Sequence, residues 1–239
     1  LNQITHASDA WISRPEWNSR DLNLLAPDAP GLTKGDVITL GFDGSRKRTR
    51  GVTDATALIA CRVPDGLIVP LGVWEQPDGK AGDDWRIPTD EVDAKVREAF
   101  AEYTVVGFYA DPAKWEGYVA QWEARHGASL KVKASRSNPI EWWMTGGRSA
   151  LITRALDQFY SAVVDGELTH NGSSVLTRHV LAARRRVKAT GYQIYKEHPD
   201  SPNKIDAAIA AVLAWQARLD AVAAGVGVIV KRGTPRRIY

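Results

Sequence analysis

The sequence predicts an α/β protein built on a mixed β-sheet, and three observations support this fold class. Three strand-like segments come first and are separated by turns, at residues 37–43, 53–63 and 67–74. A helical segment then leads to a fourth strand at residues 103–110. Further helical segments follow as far as residue 223. Strands joined by turns pair antiparallel, whereas strands separated by helices pair parallel, so the sheet is mixed.

The first three segments have the pattern of an antiparallel meander. Residues 37–43 are almost continuously apolar, as in a strand buried on both faces. A basic turn at residues 44–51 leads to the second strand, which is rich in β-branched and small residues. Pro64-Asp65-Gly66 is a strong turn signal before the third strand.

Helices and one short strand account for the rest of the chain. Pro88 and Thr89 mark the start of a helix that places Val92, Val96 and Phe100 on one face. The next helix ends at Gly127, because glycine commonly follows the last helical residue. We predict a fifth strand over 129–134 and helices over 113–126, 146–165, 175–188 and 203–223.

This element order is that of the ribonuclease H-like fold, in which the first strand is central and the fourth lies beside it. We therefore expect Asp43, which ends the first strand, to lie close to Asp111, which ends the fourth. The early meander argues against a simple doubly wound nucleotide-binding fold.

Length and composition restrict the class of protein. The chain has 239 residues, of which 44% are hydrophobic and 25% charged, as in an ordinary globular protein of one domain with or without extensions. No segment approaches the roughly 18 apolar residues of a membrane span, and the N-terminus lacks the features of a signal peptide. The single cysteine, Cys61, excludes a disulfide framework and fits a reducing compartment.

Three aspartates at the ends of apolar segments are candidate metal ligands. Asp43 and Asp111 end predicted strands, and Asp206 lies in the first turn of the last predicted helix. Hard divalent cations prefer oxygen ligands, and two such ions promote in-line hydrolysis of a phosphodiester. Each aspartate also has a structural interpretation, as a turn residue, a helix N-cap and an acid favoured by the helix dipole, respectively. Their joint occurrence in this strand order favours the metal site.

Basic residues are clustered, although the net charge is only +3. The clusters span residues 46–50, 184–188 and 231–237. Such clusters either neutralise phosphates or form solvated turns and helix faces. We favour the turn between the first two strands as the phosphate contact, because it lies at the same end of the sheet as Asp43; its cations are Arg46, Lys47, Arg48 and Arg50.

Three motifs resemble the nuclease domain of tailed-phage terminase large subunits over residues 36–222. They are Leu40-Gly-Phe-Asp43-Gly-Ser with Thr53-Asp-Ala-Thr-Ala57, Tyr109-Ala-Asp111-Pro112, and Lys204-Ile-Asp206-Ala-Ala. The resemblance implies a DNA endonuclease in which the three aspartates bind two Mg²⁺ or Mn²⁺ ions. Asp43 would bridge both ions, and Asp111 and Asp206 would each complete the ligands of one. The implied task is to cut concatemeric double-stranded viral DNA during genome packaging, in the cytoplasm of an infected bacterial host.

The same resemblance implies partners and a division of the chain. Terminases carry an ATPase domain and work with a small terminase subunit and a portal protein. This sequence contains no Gly-x-x-x-x-Gly-Lys-Ser/Thr phosphate loop, so the ATPase is expected in a missing domain or on another chain. We divide the chain into an N-terminal arm or linker (1–35), a nuclease domain (36–223) and a basic C-terminal tail (224–239).

Four other residues are assigned supporting roles. Asp54 is either a further metal ligand or a hydrogen-bonding residue at the start of the second strand. Lys196 and Lys204 flank Asp206, and they either orient the scissile phosphate or neutralise the carboxylate-rich rim. His179 is interpreted as a buried packing residue, because its helical neighbours are apolar.

Other functions stay open at the level of sequence. A resolvase- or transposase-type nuclease uses the same carboxylate chemistry. A non-catalytic module that docks on DNA or the portal would use the aspartates only as caps and turns. An actin-like or sugar-kinase ATPase shares the core, but it requires a duplicated domain for which 239 residues leave no room.

Overall fold

The computed structural model describes residues 9–45, 53–82, 84–189, 191–198 and 201–227. The strands are β1 (Val37–Asp43), β2 (Thr56–Arg62), β3 (Leu67–Trp74), β4 (Thr104–Ala110), β5 (Thr169–His170), β6 (Arg184–Lys188) and β7 (Gly191–Tyr195). The helices are α1 (Arg14–Asn18), α2 (Leu22–Leu25), α3 (Thr89–Glu102), α4 (Glu116–His126), α5 (Ser149–Asp165), α6 (Ser174–Ala182) and α7 (Asp206–Ala223). Within these ranges, no helix has the length and apolar character that crossing a bilayer requires.

Five strands form one mixed sheet in the order β4-β1-β2-β3-β5. The β1–β2 and β2–β3 pairs are antiparallel, whereas β4 pairs parallel with β1 and β5 pairs parallel with β3. The predicted mixed sheet with its first strand beside the fourth is therefore confirmed. Strands β6 and β7 form a separate antiparallel hairpin, which we call the basic hairpin.

Two predicted elements are wrong. Residues 129–134 form no strand, because the N–H groups of Lys131 and Val132 both donate to the carbonyl oxygen of Val106, at 2.8 and 3.0 Å. Two successive donors on one acceptor do not continue into a ladder. The predicted helix over 175–188 ends at Ala182, since Ala183 is extended and the arginine-rich segment after it pairs with β7.

Helices cover both faces of the sheet. Alternate side chains of β1 point to opposite faces. Ile38, Leu40 and Phe42 lie in a core with apolar residues of α3 and α4. The opposite face is covered by α7, and α5 and α6 pack beyond it.

Helix α7 lies in direct backbone contact with β1. A Cβ atom placed on Gly41 would lie 1.9 Å from the carbonyl oxygen of Ala210 and 2.3 Å from the nitrogen of Ala214. The hydroxyl of Thr39 donates a hydrogen bond to the carbonyl oxygen of Ala214 (2.8 Å). The glycine in β1 and the alanines of α7 therefore permit an approach that larger side chains would prevent.

The N-terminal segment from residue 9 contributes to the core. Trp11 and Trp17 are almost completely buried, and Trp17 stacks on His170 with ring centroids 4.2 Å apart. The indole N–H of Trp17 also donates to the hydroxyl of Thr177 (3.0 Å). The predicted arm over residues 1–35 therefore contains residues that pack on the same core as the sheet.

Both edges of the sheet carry hydrogen bonds to segments that are not strands. At the β5 edge, the N–H of His170 donates to the carbonyl oxygen of Arg20 (3.0 Å). At the β4 edge, Ala110 accepts from the N–H of Trp142 (2.8 Å) and donates to the carbonyl oxygen of Ile140 (2.9 Å). Neither edge therefore ends in a bare strand at these positions.

Candidate metal centre

Asp43 and Asp111 lie side by side, because β1 and β4 are parallel neighbours. Phe42 is in register with Ala110, and the N–H of Asp111 donates to the carbonyl oxygen of Phe42 (3.0 Å). Side chains alternate along a strand, so Asp43 points to the same face as Gly41, the face that α7 covers. The structure thus brings these two aspartates together at the end of the sheet where α7 begins.

Asp206 reaches the same place from the start of α7. It is the first residue of that helix, and its Oδ2 accepts a hydrogen bond from the N–H of Ala55 (3.2 Å), just before β2. Burial raises the pKa of Asp206 to about 6, and the nearby Asp54 carboxylate acts in the same direction.

The carboxylates of the other three aspartates lie close enough to Asp43 to affect its pKa. Burial is the largest cause that raises the pKa of Asp43 well above its ordinary value, followed by the carboxylates of Asp206, Asp111 and Asp54. Lys114 acts in the opposite direction. Carboxylates that repel one another in this way are stabilised by a proton or by a cation.

Asp111 combines two structural roles. Its Oδ1 accepts a hydrogen bond from the N–H of Ala113 (3.2 Å), which is a turn-type contact. The N-cap role suggested by the sequence is wrong, because α4 begins only at Glu116 and Trp115 occupies the N-cap position. Burial raises the pKa of Asp111, whereas hydrogen bonds from the backbone of Ala113 and Met144 act in the opposite direction. A turn bond and proximity to Asp43 therefore coexist.

Asp54 is paired with both lysines that the sequence placed near the site. The ammonium of Lys196 lies 2.5 Å from Oδ1 of Asp54, and that of Lys204 lies 4.0 Å from the same oxygen. Both lysines are largely buried. In this arrangement they balance negative charge at the site by pairing with Asp54.

A cavity of about 300 Å³ lies beside the carboxylates. One part of its lining is formed by Asp54, Asp111 and Asp206. Its other walls are mainly apolar and come from α5, β7 and the region around the start of α7, including Ile152, Leu156, Ile194, Ile205 and Ile209. The basic hairpin therefore contributes to the site, which the helix prediction over 175–188 missed. The sequence signal for strand β7 was the spacing of two between the apolar residues Tyr192 and Ile194, both of which are buried.

The basic hairpin holds three exposed cations over aromatic rings. The guanidinium of Arg185 lies 4.5 Å from the ring centroid of Tyr192. Arg186 and Lys188 lie 5.2 and 5.0 Å from that of Tyr195. Such stacking restricts the cations while leaving their charge available. The other two predicted basic clusters, Arg46 to Arg50 and residues 231–237, fall outside the described residues.

The donor set suits a hard divalent cation. In the part of the chain described here, no three His, Cys, Asp or Glu side chains are close enough to hold one ion. An ion at this place would therefore have two carboxylate ligands at most, with water or substrate oxygens as the others. Mg²⁺ commonly binds in this way, through one or two carboxylates and the phosphates of its substrate.

Comparisons with known proteins identify phage relatives. No protein-family model matches the chain. Over 229 residues, or 92% of the chain, it is 42% identical to the Gene 13 protein of Mycobacterium phage L5 and 40% identical to that of Mycobacterium phage D29. The match covers 37% and 36% of those relatives, so the chain spans little more than a third of their length.

Several phage terminases are among the solved structures that this chain resembles in fold. The HK97 bacteriophage large terminase matches with a TM-score of 0.59 and 17% identity, over 85% of this chain and 42% of that one. The large terminase nuclease of thermophilic phage G20c matches with a TM-score of 0.51 and 13% identity, over 87% and 98% of the two chains. Its cobalt-bound form matches with a TM-score of 0.52 and 12% identity, over 87% and 97%. The chain therefore has the ribonuclease H-like fold of phage large terminase nuclease domains, as its sequence motifs predict.

Proposed function

We propose that this chain is the nuclease domain of a phage large terminase, and that it cuts concatemeric viral DNA during genome packaging. The observation that carries the proposal is the placement of Asp43 beside Asp111, which lines one cavity together with Asp206, on a fold shared with terminase nucleases. The cobalt-bound form of the G20c nuclease supports a divalent cation as the cofactor. The relatives are longer than this chain, so the packaging role of the whole protein is part of the proposal.

The three aspartates are the proposed ligands of two Mg²⁺ or Mn²⁺ ions. Asp43 would be shared between the ions, Asp111 and Asp206 would each bind one, and Asp54 is the further candidate. When bound, such ions lower the pKa of a water molecule and stabilise negative charge on the phosphate. To bind the ions, the aspartates must be ionised and must keep their carboxylates directed at the metal positions. Their mutual repulsion is then offset by the bound cations.

The two buried lysines are proposed to orient the scissile phosphate. Lys196 is paired with Asp54 at 2.5 Å and lines the same cavity as the carboxylates. A phosphate that enters the cavity meets this ammonium next to the metal ligands. Lys204, 4.0 Å from Asp54, contributes positive charge from the segment that leads into α7.

Double-stranded DNA is the proposed substrate, and two basic segments are proposed to bind its backbone. Arg46, Lys47, Arg48 and Arg50 come shortly after Asp43 in the sequence, in the segment that the sequence predicts to be a turn. The basic hairpin adds Arg185 and Lys188, which lie over the rings of Tyr192 and Tyr195. Lysine and arginine contacts to phosphate provide affinity without reading sequence.

The remaining components of the proposal are what a terminase nuclease would require. The partners are the terminase ATPase domain, the small terminase subunit and the portal protein, and the compartment is the cytoplasm of the infected host. ATP hydrolysis is assigned to another domain or chain, because this sequence has no phosphate loop.

Plasmid cleavage tests the proposal directly. Supercoiled plasmid is incubated with the protein in Mg²⁺, Mn²⁺, Co²⁺ or EDTA, and nicked and linear products are measured. We expect metal-dependent cleavage that is lost in Asp43→Asn and retained in Asp28→Asn, a matched change at an exposed aspartate. Equal cleavage by the Asp43 variant would refute the assigned ligand.

Two further arms separate the alternatives. Protein that binds DNA but does not cut it in the presence of any of these metals would favour the non-catalytic docking module. A strong preference for a four-way junction over linear duplex of equal length would favour a resolvase-type nuclease. Cleavage of both substrates at similar rates supports the terminase assignment.

A further inference from the structure

We propose that His179 positions Asp206 by capping helix α7, and that Glu75 fixes the tautomer of His179 in which it can do so. The inference rests on the proposed metal site, because it concerns the residue that orients one of the assigned ligands. His179 is a positioning residue, since it is not among the described residues that line the cavity and its hydrogen bonds go to Glu75 and to the backbone of Ala207.

The residue that precedes α7 provides no side-chain cap for the first turn of the helix. Ile205 precedes the helix and has no side-chain acceptor for the first N–H groups. Buried N–H groups at a helix start require an acceptor. The acceptor comes from α6, where Nδ1 of His179 lies 2.9 Å from the N–H of Ala207, the residue after Asp206.

This hydrogen bond defines the protonation of the imidazole. A ring nitrogen that accepts a backbone N–H has no proton, so Nδ1 is bare and the proton of the neutral ring is on Nε2. Nε2 lies 2.9 Å from Oε1 of Glu75, which accepts its hydrogen bond. A carboxylate in this place selects the tautomer that leaves Nδ1 as an acceptor.

Glu75 is itself fixed by an arginine on the same helix as His179. Two guanidinium nitrogens of Arg178 donate to the two carboxylate oxygens of Glu75, at 3.0 and 2.7 Å. Such paired contacts restrict both position and orientation. His179 is fully buried, so the connected groups run from the surface at Arg178 to the backbone beside Asp206.

The arrangement matters because Asp206 depends on a helix end. Asp43 ends β1, and Asp111 follows β4 and is bonded to the backbone of β1. Helix ends, in contrast, fray when their first N–H groups lack acceptors. Without His179, the N–H of Ala207 in the first turn of α7 has no acceptor on the imidazole, and the Asp206 carboxylate samples other directions. Partners of this kind typically change metal affinity or activity by about 10–100-fold when they are removed.

Two substitutions of His179 test the proposal. His179→Leu removes the acceptor, whereas His179→Asn keeps an oxygen near the position of Nδ1. The readouts are the Mn²⁺ concentration for half-maximal cleavage, the Mn²⁺-induced rise in melting temperature, and DNA affinity in EDTA. We expect the leucine variant to need about 10–100-fold more Mn²⁺ with unchanged DNA affinity, and the asparagine variant to recover most of the difference.

A purely structural role predicts a different pattern. In that case both variants have a lower melting temperature, but the Mn²⁺ concentration for half-maximal cleavage by the folded protein is unchanged. This result would overturn the proposal. If His179→Leu does not fold, ¹⁵N spectra of histidine-labelled wild-type protein decide. A protonated Nδ1 in His179 contradicts the proposal, and a bare Nδ1 with protonated Nε2 supports it.

The outcomes also distinguish this inference from the proposed function. Wild-type protein with neither a Mn²⁺-induced stabilisation nor cleavage means that the proposed function fails, and this inference with it. If wild-type protein shows both properties and a folded His179→Leu variant shows them equally, the proposed nuclease function stands and only the role of His179 is refuted.

Discussion

The backbone N–H of Asp111 donates a hydrogen bond to the carbonyl oxygen of Phe42, at 3.0 Å. This bond continues the parallel pairing of β1 and β4 past the last registered pair of the two strands. Since Asp43 follows Phe42 in the chain, two of the proposed ligands are set beside each other by the main chain. Asp206 reaches them from a helix whose position depends on its contact with β1.

Gly41→Ala is expected to disturb that contact severely. The new Cβ would lie 1.9 and 2.3 Å from backbone atoms of α7, which cannot rotate away as a side chain would. Overpacking of this kind typically costs 1–3 kcal/mol and sometimes more, and we expect a loss of at least about 3 kcal/mol in the free energy of unfolding. Urea denaturation measures it.

Gly117→Ala is the matched control for this substitution. A Cβ atom at this position in α4 meets no atom within 4 Å. Replacing glycine inside a helix then stabilises the protein by about 0.5–1 kcal/mol. Equal effects of the two substitutions would contradict the close approach of α7 to β1.

Asp206→Asn is expected to stabilise the metal-free protein at pH 8. The pKa of Asp206 is raised from 3.8 to about 6, so the folded state disfavours its ionised form. This group's contribution to stability is present below the unfolded pKa and is lost as pH rises through about 6. At 1.36 kcal/mol per pKa unit, the gain at pH 8 is roughly 2–3 kcal/mol.

The measurement is the free energy of unfolding in EDTA from pH 4 to 8. The difference between Asp206→Asn and wild type should shrink as pH falls below about 6. Asp28→Asn, at an exposed position, serves as the control. A difference that is the same at pH 4 and pH 8 would show that the carboxylates do not repel one another as described.

Cleavage is expected to rise with pH through the same range. Metal binding requires ionised carboxylates, and burial and mutual repulsion raise the pKa values of Asp43 and Asp206. A proton and a metal ion then compete for the site, so the midpoint of the pH profile moves to lower pH as the metal concentration increases. Initial rates at three Mn²⁺ concentrations measure this shift, and a fixed midpoint would argue against direct competition.

The basic hairpin is expected to contribute to DNA affinity. The double substitution Arg185→Ala and Lys188→Ala removes two exposed cations that are stacked on tyrosines. Each lost phosphate contact reduces the salt dependence of binding. The slope of the logarithm of the DNA-binding constant against the logarithm of salt concentration should therefore decrease in magnitude by up to about 2. The control is Lys95→Ala with Arg97→Ala, an equal loss of charge on α3. Matching slopes for the two double variants would exclude the hairpin as a contact.

Trp17→Ala is expected to destabilise the domain by about 3–5 kcal/mol, as removal of a buried aromatic ring commonly does. Trp17 is 0% exposed and stacks on His170, so the N-terminal segment is part of the core. Leu24→Ala, at a side chain that is 73% exposed, should change stability by less than about 0.5 kcal/mol. Thermal unfolding of both variants compares them, and a mild effect at Trp17 would mean that the segment behaves as a linker.

Much of the sheet and the proposed ligand set was predictable from local patterns. Strands β1 to β4 have apolar runs bounded by turn residues, and the topology then places Asp43 beside Asp111. The basic hairpin was missed because Arg184–Lys188 has one apolar residue and follows a helical pattern without a break. Strand β5 has only two residues, and its pairing with β3 depends on tertiary contacts.

The contacts around α7 depend on distant parts of the chain. The sequence indicated that His179 is buried, but its partners Glu75 and Ala207 are 104 and 28 residues away. The packing of Trp17 on His170 spans 153 residues, and the proline-rich surroundings of Trp17 resemble a linker. No local periodicity encodes such contacts.

The covered edges of the sheet restrict how other proteins can associate with this domain. Hydrogen bonds to Arg20 at one edge, and to Ile140 and Trp142 at the other, use backbone groups that an added strand would need. At these positions an incoming peptide therefore cannot extend the sheet by strand addition. A partner that docks here must recognise side chains, so its specificity is determined by the amino acids on the surface of the domain and not by its backbone.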